Sequence, residues 1–299
     1  MLAALWSLNG CETTRNMQGR AEWIGAKVGL PAGGYSEAVK IYNARIDKID
    51  QLWARADMQV TWQEEGEKKA EDLDGHLLLR RPGQTAIAMG KLGQTMLWAG
   101  CDEQRYWWLD LRQKDERIGY VGRHENVDQA AQVGLLAVQV QPRDVMALLG
   151  VVTLSGEKEM AEGQGQVKAA GEYWVLEPAD KLLRIWIKPS EGVAVRVDLL
   201  DEDGTEKITA YLSNHQPVHL HKKSGTAQQA ISAEDQGSML AREIEIVLRQ
   251  SQEQGRLKLK LRDVSDGRDD DRIQEKVFDF NSLRKVYRLK RVIDLDVAP

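Results

Sequence analysis

Two cysteines in 299 residues are too few for a disulfide framework. Phenylalanine is as scarce, two residues beside nine tryptophans, so the aromatic content is made of wide rings with a polar edge, suited to cavities and interfaces. Basic charge is neither abundant nor gathered: 41 Lys and Arg stand against 46 Asp and Glu, for a net charge of -5. Sequence-independent binding of nucleic acid relies on a concentrated positive face, and no such block exists. No stretch reaches the roughly 20 apolar residues of a transmembrane helix. Missing too are a Gly-x-Ser-x-Gly elbow, a phosphate-binding loop, a His-Glu-x-x-His pair and a Cys-His pairing. The expectation is therefore a protein without enzymatic activity, catalytic residues or cofactor.

What is present is 42% hydrophobic and 29% charged, enough apolar content for a substantial core in one large or two small domains. The most informative stretch runs from His76 to Leu111. It reads as short apolar strands separated by turn signals at Pro82-Gly83, Gly90 to Gly93 and Gly100 to Gln104. Thr95 to Ala99 is answered by Tyr106 to Leu111, which fits an antiparallel hairpin. Before it, Ala56, Met58, Val60 and Trp62 alternate with Asp57, Gln59 and Thr61, a half-buried strand. After it come Tyr173 to Leu176, Leu182 to Ile187, Val193 to Leu199 and, past the turn Asp201-Glu202-Asp203-Gly204, Ile208 to Leu212. Ile244, Ile246 and Leu248, then Leu257, Leu259 and Leu261, alternate strictly with charged residues, so one side of the sheet is buried and the other wet.

Only two helices are convincing. Val39, Tyr42, Ile46, Ile49 and Trp53 follow spacings of three and four, which predicts an amphipathic helix from a Ser36 cap to about Trp53. Gln141 to Gly150 predicts a short helix with Pro142 in its first turn and glycine at its end. Strands with few helices exclude a parallel α/β fold. The fold class expected is mainly β: a strongly curved antiparallel sheet, or half-barrel, with helices packed in its concave face.

The amino terminus is organised differently. Met1 to Cys11 is apolar and stops at Leu8-Asn9-Gly10-Cys11, with polar residues following at once. This resembles a bacterial lipobox, in which the thiol of Cys11 takes a diacylglycerol. The alternative is a frayed terminus with an incidental cysteine. On the lipobox reading, residues 1–11 are a truncated lipoprotein signal peptide, Cys11 is the lipid anchor to a membrane, and the glycine-rich residues 12–35 are a tether. Residues 36–299 form a single domain with a polar, glycine-rich loop at 155–171.

The central meander carries a family resemblance. Gly75, a strand closing on Arg81-Pro82, two further strands, the acidic turn Asp102-Glu103 and the aromatic strand Tyr106-Trp107-Trp108 resemble the LolA/LolB lipoprotein-carrier superfamily. The chain departs from that pattern where Glu103 replaces a turn glycine and where the second strand, Thr85 to Met89, lacks the family's aromatic or arginine. The resemblance implies a LolA-like half-barrel whose cavity holds acyl chains of lipids or lipoproteins. It implies a location on the periplasmic side of the cell envelope, and Glu12 after the cysteine points to the outer membrane. Trp62, Ile87, Met89, Met96, Trp98 and Trp108 are the candidate lining, since methionine and tryptophan adapt to mobile chains. The alternative is a structural or sensory envelope lipoprotein with a closed core and a protein partner.

Other candidate sites are weaker. His215, His219 and His221 lack a third ligand type at zinc spacing and read as a solvated strand edge. Asp201 to Gly204 has its glycine too early for a calcium loop, and Asp266 to Asp271 reads as a charged loop.

Overall fold

The computed structural model describes residues 28–64, 66–126, 140–156, 165–179, 182–219, 238–249, 255–267 and 272–297. Helix α1 (Gly34–Ala44) leads into a meander of six strands: β1 (Gln51–Glu64), β2 (Glu67–Arg80), β3 (Gln84–Lys91), β4 (Gln94–Cys101), β5 (Arg105–Asp110) and β6 (Ile118–Arg123). A 3-10 turn at Pro142–Asp144 and the short helix α2 (Val145–Leu148) follow. A second meander contains β7 (Gln166–Ala170), β8 (Tyr173–Glu177), β9 (Leu183–Lys188), β10 (Val193–Leu200), β11 (Glu206–Pro217), β12 (Met239–Leu248) and β13 (Arg256–Ser265). Helix α3 (Phe280–Tyr287) and β14 (Arg291–Asp294) end the chain's described part.

All fourteen strands join in one sheet, in the order β14-β6-β5-β4-β3-β2-β1-β13-β12-β11-β10-β9-β8-β7. The first meander grows outward from β1, and the second starts at the far edge and returns to β1. Every pair is antiparallel except β14 on β6. The seam between the halves is β1 on β13, with Met58 opposite Leu259. The sheet is curved and does not close, as the sequence leads one to expect.

Alternation along β1 sorts the two faces. Leu52, Ala54, Ala56 and Met58 join α1 residues Ala38, Val39 and Tyr42, α2 residues Val145, Met146 and Leu148, and inward residues of β8 to β13 in one large core. This is the concave side, filled by α1 and the segment around α2. The opposite face is covered only in part: α3 lays Phe280 and Leu283 over Trp107, Leu109 and Leu111.

The curvature has a local cause in glycine. A Cβ on Gly75 would stand 1.8 Å from Ala88 O, and one on Gly90 would stand 2.1 Å from Gln94 O. Neighbouring backbones approach there more closely than any side chain allows. Further out, Trp107 lies over Gly100, whose Cβ would be 2.8 Å from the indole Nε1.

Four boundaries differ from the sequence reading, the first being the start of α1, which is at Gly34 with Gly33 before it and not on a Ser36 cap. The first helix stops at Ala44, although Ile46 and Ile49 continue its apolar spacing and are buried. The chain tightens there, Ile46 N donating to Asn43 O, and from Gln51 it pairs with β2 over fourteen residues. Trp53 therefore sits on the outer face, against His76. Within the expected loop 155–171, residues 166–170 pair with β8 as an edge strand; residues 157–164 lie outside the described residues. The end of the chain, where the sequence reading placed no element, holds α3 and β14, with Asp279 capping the helix through Asn281 N and Ser282 N.

Candidate functional site

The concave face is the surface to which the sequence assigned a role, and its structure follows from strand register. Residues opposite one another in a ladder share a face. Leu77 is opposite Ile87 and Gly75 is opposite Met89. Ile87 is in turn opposite Ala99, and Met89 opposite Leu97. Trp62 falls on this face by alternation from Met58, and Trp108 through its pairing with Ala99.

The six tryptophan, isoleucine and methionine candidates are thus divided. Ile87 and Met89 are half-buried and pack against the main core. Trp62 is half-buried on the same face, near the tip of the β1–β2 hairpin. Trp108 shares the face but is sealed at 1% exposure beside Ala99, Cys101, Tyr106 and Leu295; its ring meets Tyr106 edge-on at 4.8 Å. Trp98 turns to the outer face, where it packs near Tyr287 at 5.8 Å. Met96 is the extra residue of a bulge, since Leu97 and Thr95 face the consecutive residues Met89 and Gly90. Strand alternation, two residues per repeat, separates Trp98 from Trp108 once Trp98 pairs with Leu109.

The structure adds residues that the sequence did not single out. Leu73 and Leu257 are half-buried and packed on the edge of the main core, and Val60, opposite Leu257, is half-buried between them and Trp62. With Ile87, Met89 and Leu97 they make a half-covered apolar rim across β13, β1, β2, β3 and β4. Helix α1 leans toward β7 and β8 instead, leaving this end of the concave face less covered. Only the β1–β13 pairing brings Leu257 into the group, and that pairing has no local signal.

Arg81, the arginine of the meander motif, ties the sheet to its filling. Its backbone N donates to Asp50 O at 2.8 Å and its Nη2 to Val151 O at 2.9 Å. Tyr42 OH donates to Val152 O at 3.0 Å, so two side chains hold the segment after α2 inside the curve. Burial holds the Tyr42 hydroxyl well above the tyrosine range. It also pushes the Cys101 thiol up to about 12, leaving a protonated group that donates weakly to Gly83 O.

The outer face offers a different surface. A trough of about 700 Å³ crosses β11, β12, β13, β1 and β2, lined by Asp57, Gln59, Asp74, Glu243, Lys258 and Lys260 among others. Its walls mix charged side chains with apolar ones such as Leu73 and Leu259, and Asp57 is paired with Arg262 and Glu243 with Lys260.

The histidines do not gather. His215 donates from Nε2 to Ala194 O at 2.8 Å, His219 bridges to Ser265, and His221 lies outside the described residues. Among the described residues, no three His, Cys, Asp or Glu side chains group as metal ligands would. Cys11 and residues 12–27 lie outside the described residues, as does most of Asp266 to Asp271. No described helix is long and apolar enough to cross a membrane.

His215 has a testable electrostatic consequence. Burial holds its pKa below the usual 6.5, so the unfolded chain takes up this proton at a higher pH than the folded one does. The stability this contributes is complete above the unfolded value and is lost as pH falls through that value toward the folded pKa. His76 is shifted the same way by burial and by Arg55 and Arg272. The melting temperature should therefore drop between about pH 7.5 and about pH 5.5, and His215→Gln should remove part of that drop. An equal drop in the variant would show that His215 contributes nothing to it.

No protein-family model and no curated protein matches the chain. Solved structures do. A DUF1329 family protein from Desulfovibrio piger superposes with a TM-score of 0.50 at 10% identity, covering 84% of this chain and 99% of that one. A Vibrio parahaemolyticus domain named for outer membrane lipoprotein sorting gives 0.49 at 13% identity, over 84% of this chain and 98% of that one. A LolA superfamily protein from Nitrosomonas europaea gives 0.47 at 11% identity, over 83% and 98%. At such identities the likeness to the Desulfovibrio piger protein is one of fold.

Proposed function

We propose that this chain is a non-enzymatic protein of the bacterial cell envelope that binds acyl chains of lipids or lipoproteins on the rim of its concave face. It is held on the periplasmic side by a lipidated Cys11, with the outer membrane as the favoured location. The observation that carries the reading is the half-covered rim of Val60, Trp62, Leu73, Ile87, Met89, Leu97 and Leu257. A row of partly exposed apolar side chains on an otherwise packed face is a place an apolar partner can cover. Each methylene buried there contributes about 0.8 kcal/mol, so a diacyl ligand needs no catalytic group to be held. Because α1 and the segment after α2 already occupy the centre of the curve, the chains lie along the rim rather than through the middle.

The purified protein should yield acyl species on lipid extraction and mass spectrometry. Leu73→Glu with Met89→Glu should reduce that load at least severalfold while the protein stays folded, since both positions lie at the edge of the core and keep some contact with solvent. A wild-type protein that carries no lipid sinks the proposal. That outcome turns the reading to a closed-core envelope protein that works by binding another protein.

A further inference from the structure

Among the described residues, the most deeply buried arginine has no ion-pair partner. Arg242 lies on β12 at 7% exposure. Its Nη2 donates to Pro217 O at 2.6 Å, and its Nη1 is buried with no acceptor. Burial is also the one influence that lowers its pKa; no carboxylate opposes it. Several partly buried arginines elsewhere are ion-paired, Arg196 with Asp198 and Glu206, Arg184 with Glu177, and Arg80 with Glu275, whereas Arg81 and Arg117 reach backbone carbonyls and are less deeply buried than Arg242. An isolated guanidinium out of water is strongly destabilising unless an anion and further hydrogen bonds meet it.

A second unmatched donor lies four residues earlier in the chain. Ser238, at the foot of the same strand, is 2% exposed, and its Oγ has no hydrogen bond. Its carbonyl accepts from Val218 N, the residue next to the Pro217 that Arg242 reaches. The guanidinium tip and the backbone of Ser238 are thus tied to adjacent residues, Pro217 and Val218. An Arg and a Ser hydroxyl with free N–H and O–H groups are matched by a negatively charged group with several acceptor oxygens, a phosphate or a carboxylate.

We propose that Arg242 and Ser238 form a binding site for an anionic oxo group, phosphate or carboxylate, with the head group of a bound lipid as its source. Only the source rests on the acyl-binding reading above; the site itself does not. The placement fits a head and its tail. Ile246 of β12 is opposite Leu257 of the rim, and the guanidinium reaches Pro217, which is opposite Met239, seven residues from Ile246 or about 23 Å along the strand.

The test compares wild type, Arg242→Met, Arg242→Lys and Ser238→Ala. Melting is followed in inorganic phosphate against chloride at equal ionic strength, and lipid uptake from phosphatidylglycerol against phosphatidylcholine vesicles. Wild type should respond to phosphate, to phosphatidylglycerol, or to both. Arg242→Met should melt higher than wild type in chloride, because the unbalanced charge is gone, and bind the anion at least roughly tenfold more weakly. Arg242→Lys should keep part of the response and Ser238→Ala should weaken it; these two carry the comparison if Arg242→Met does not fold. A response to phosphatidylglycerol but not phosphatidylcholine identifies a head group, and a response to phosphate alone identifies a free anion. Identical behaviour in phosphate and chloride and with both vesicles overturns the site, as does an undiminished response in Arg242→Met. Leu73→Glu with Met89→Glu should leave the phosphate response intact, so a failure of acyl binding is read separately.

Discussion

Gly75→Ala should destabilise the fold by about 3 kcal/mol or more, in the upper range of single substitutions that force a packed structure apart. The new Cβ would stand 1.8 Å from Ala88 O and 2.8 Å from Ala88 C. Both are backbone atoms, so no side chain can swing away. Relief requires β2 and β3 to separate by more than 1 Å, against a ladder that runs from Asp74 opposite Gly90 to Arg80 opposite Gln84. For a chain of this size the melting temperature should fall by roughly 6–12 °C. Gly83→Ala is the matched control, since its Cβ would meet only Glu103 Cγ at 3.9 Å, an ordinary contact. Equal melting temperatures for the two variants would show that the close approach at Gly75 is not what bends the sheet.

The same position shows what could be read in advance. Gly75, Arg81-Pro82 and the aromatic strand are the residues on which the family resemblance rests, and the structure gives a physical reason for two of them. Gly75 admits the neighbouring backbone, and Arg81 reaches inward to Val151 O. The strands of the central meander and the turns between them were legible because period-two alternation and glycine punctuation are local signals. So was the short helix, where Pro142 opens the turn and Gly150, at φ 67°, ends it. Pairing between the halves was not legible: β1 and β13 are separated by most of the chain, and each shows only that it has one wet face. Without the register of the β4–β5 hairpin, Trp98 and Trp108 look equivalent, and the structure sets them on opposite faces. Helix α3 did leave a signal, an Asp279 cap followed by Phe280, Leu283 and Tyr287 at spacings of three and four, and the charge around it obscured that stripe.

Asp198→Ala should cost about 3–5 kcal/mol, the range for removing one partner of a buried ion pair. Asp198 falls among the charged residues that alternate with Val197 and Leu199, a position that reads as solvent-facing, yet it is 0% exposed. Its Oδ1 accepts from Arg196 Nε at 2.7 Å and from Thr209 Oγ1 at 2.9 Å, and its Oδ2 accepts from Trp186 Nε1 at 3.0 Å. Arg196 in turn donates to Glu206 Oε1 at 2.7 Å and lies over the rings of Trp186 and Tyr211 at 5.0 and 5.8 Å. One carboxylate therefore satisfies donors on β9, β10 and β11 on the outer face of the second meander, where no described helix does what α3 does for the first. Alanine would strand all three donors at once, and each buried donor without a partner costs about 1–3 kcal/mol, more when it is charged. Asp198→Asn should fall between, because its amide keeps one acceptor but turns a donor toward another donor. Combining Asp198→Ala with Arg196→Met should cost less than the two singly added, since Arg196→Met removes the Nε donor that Asp198→Ala strands, leaving only the Glu206 end of the pair to account for. Strict additivity in that double-mutant cycle, read from chemical denaturation, would mean that the three strands are held by packing and hydrogen bonds that do not pass through Asp198.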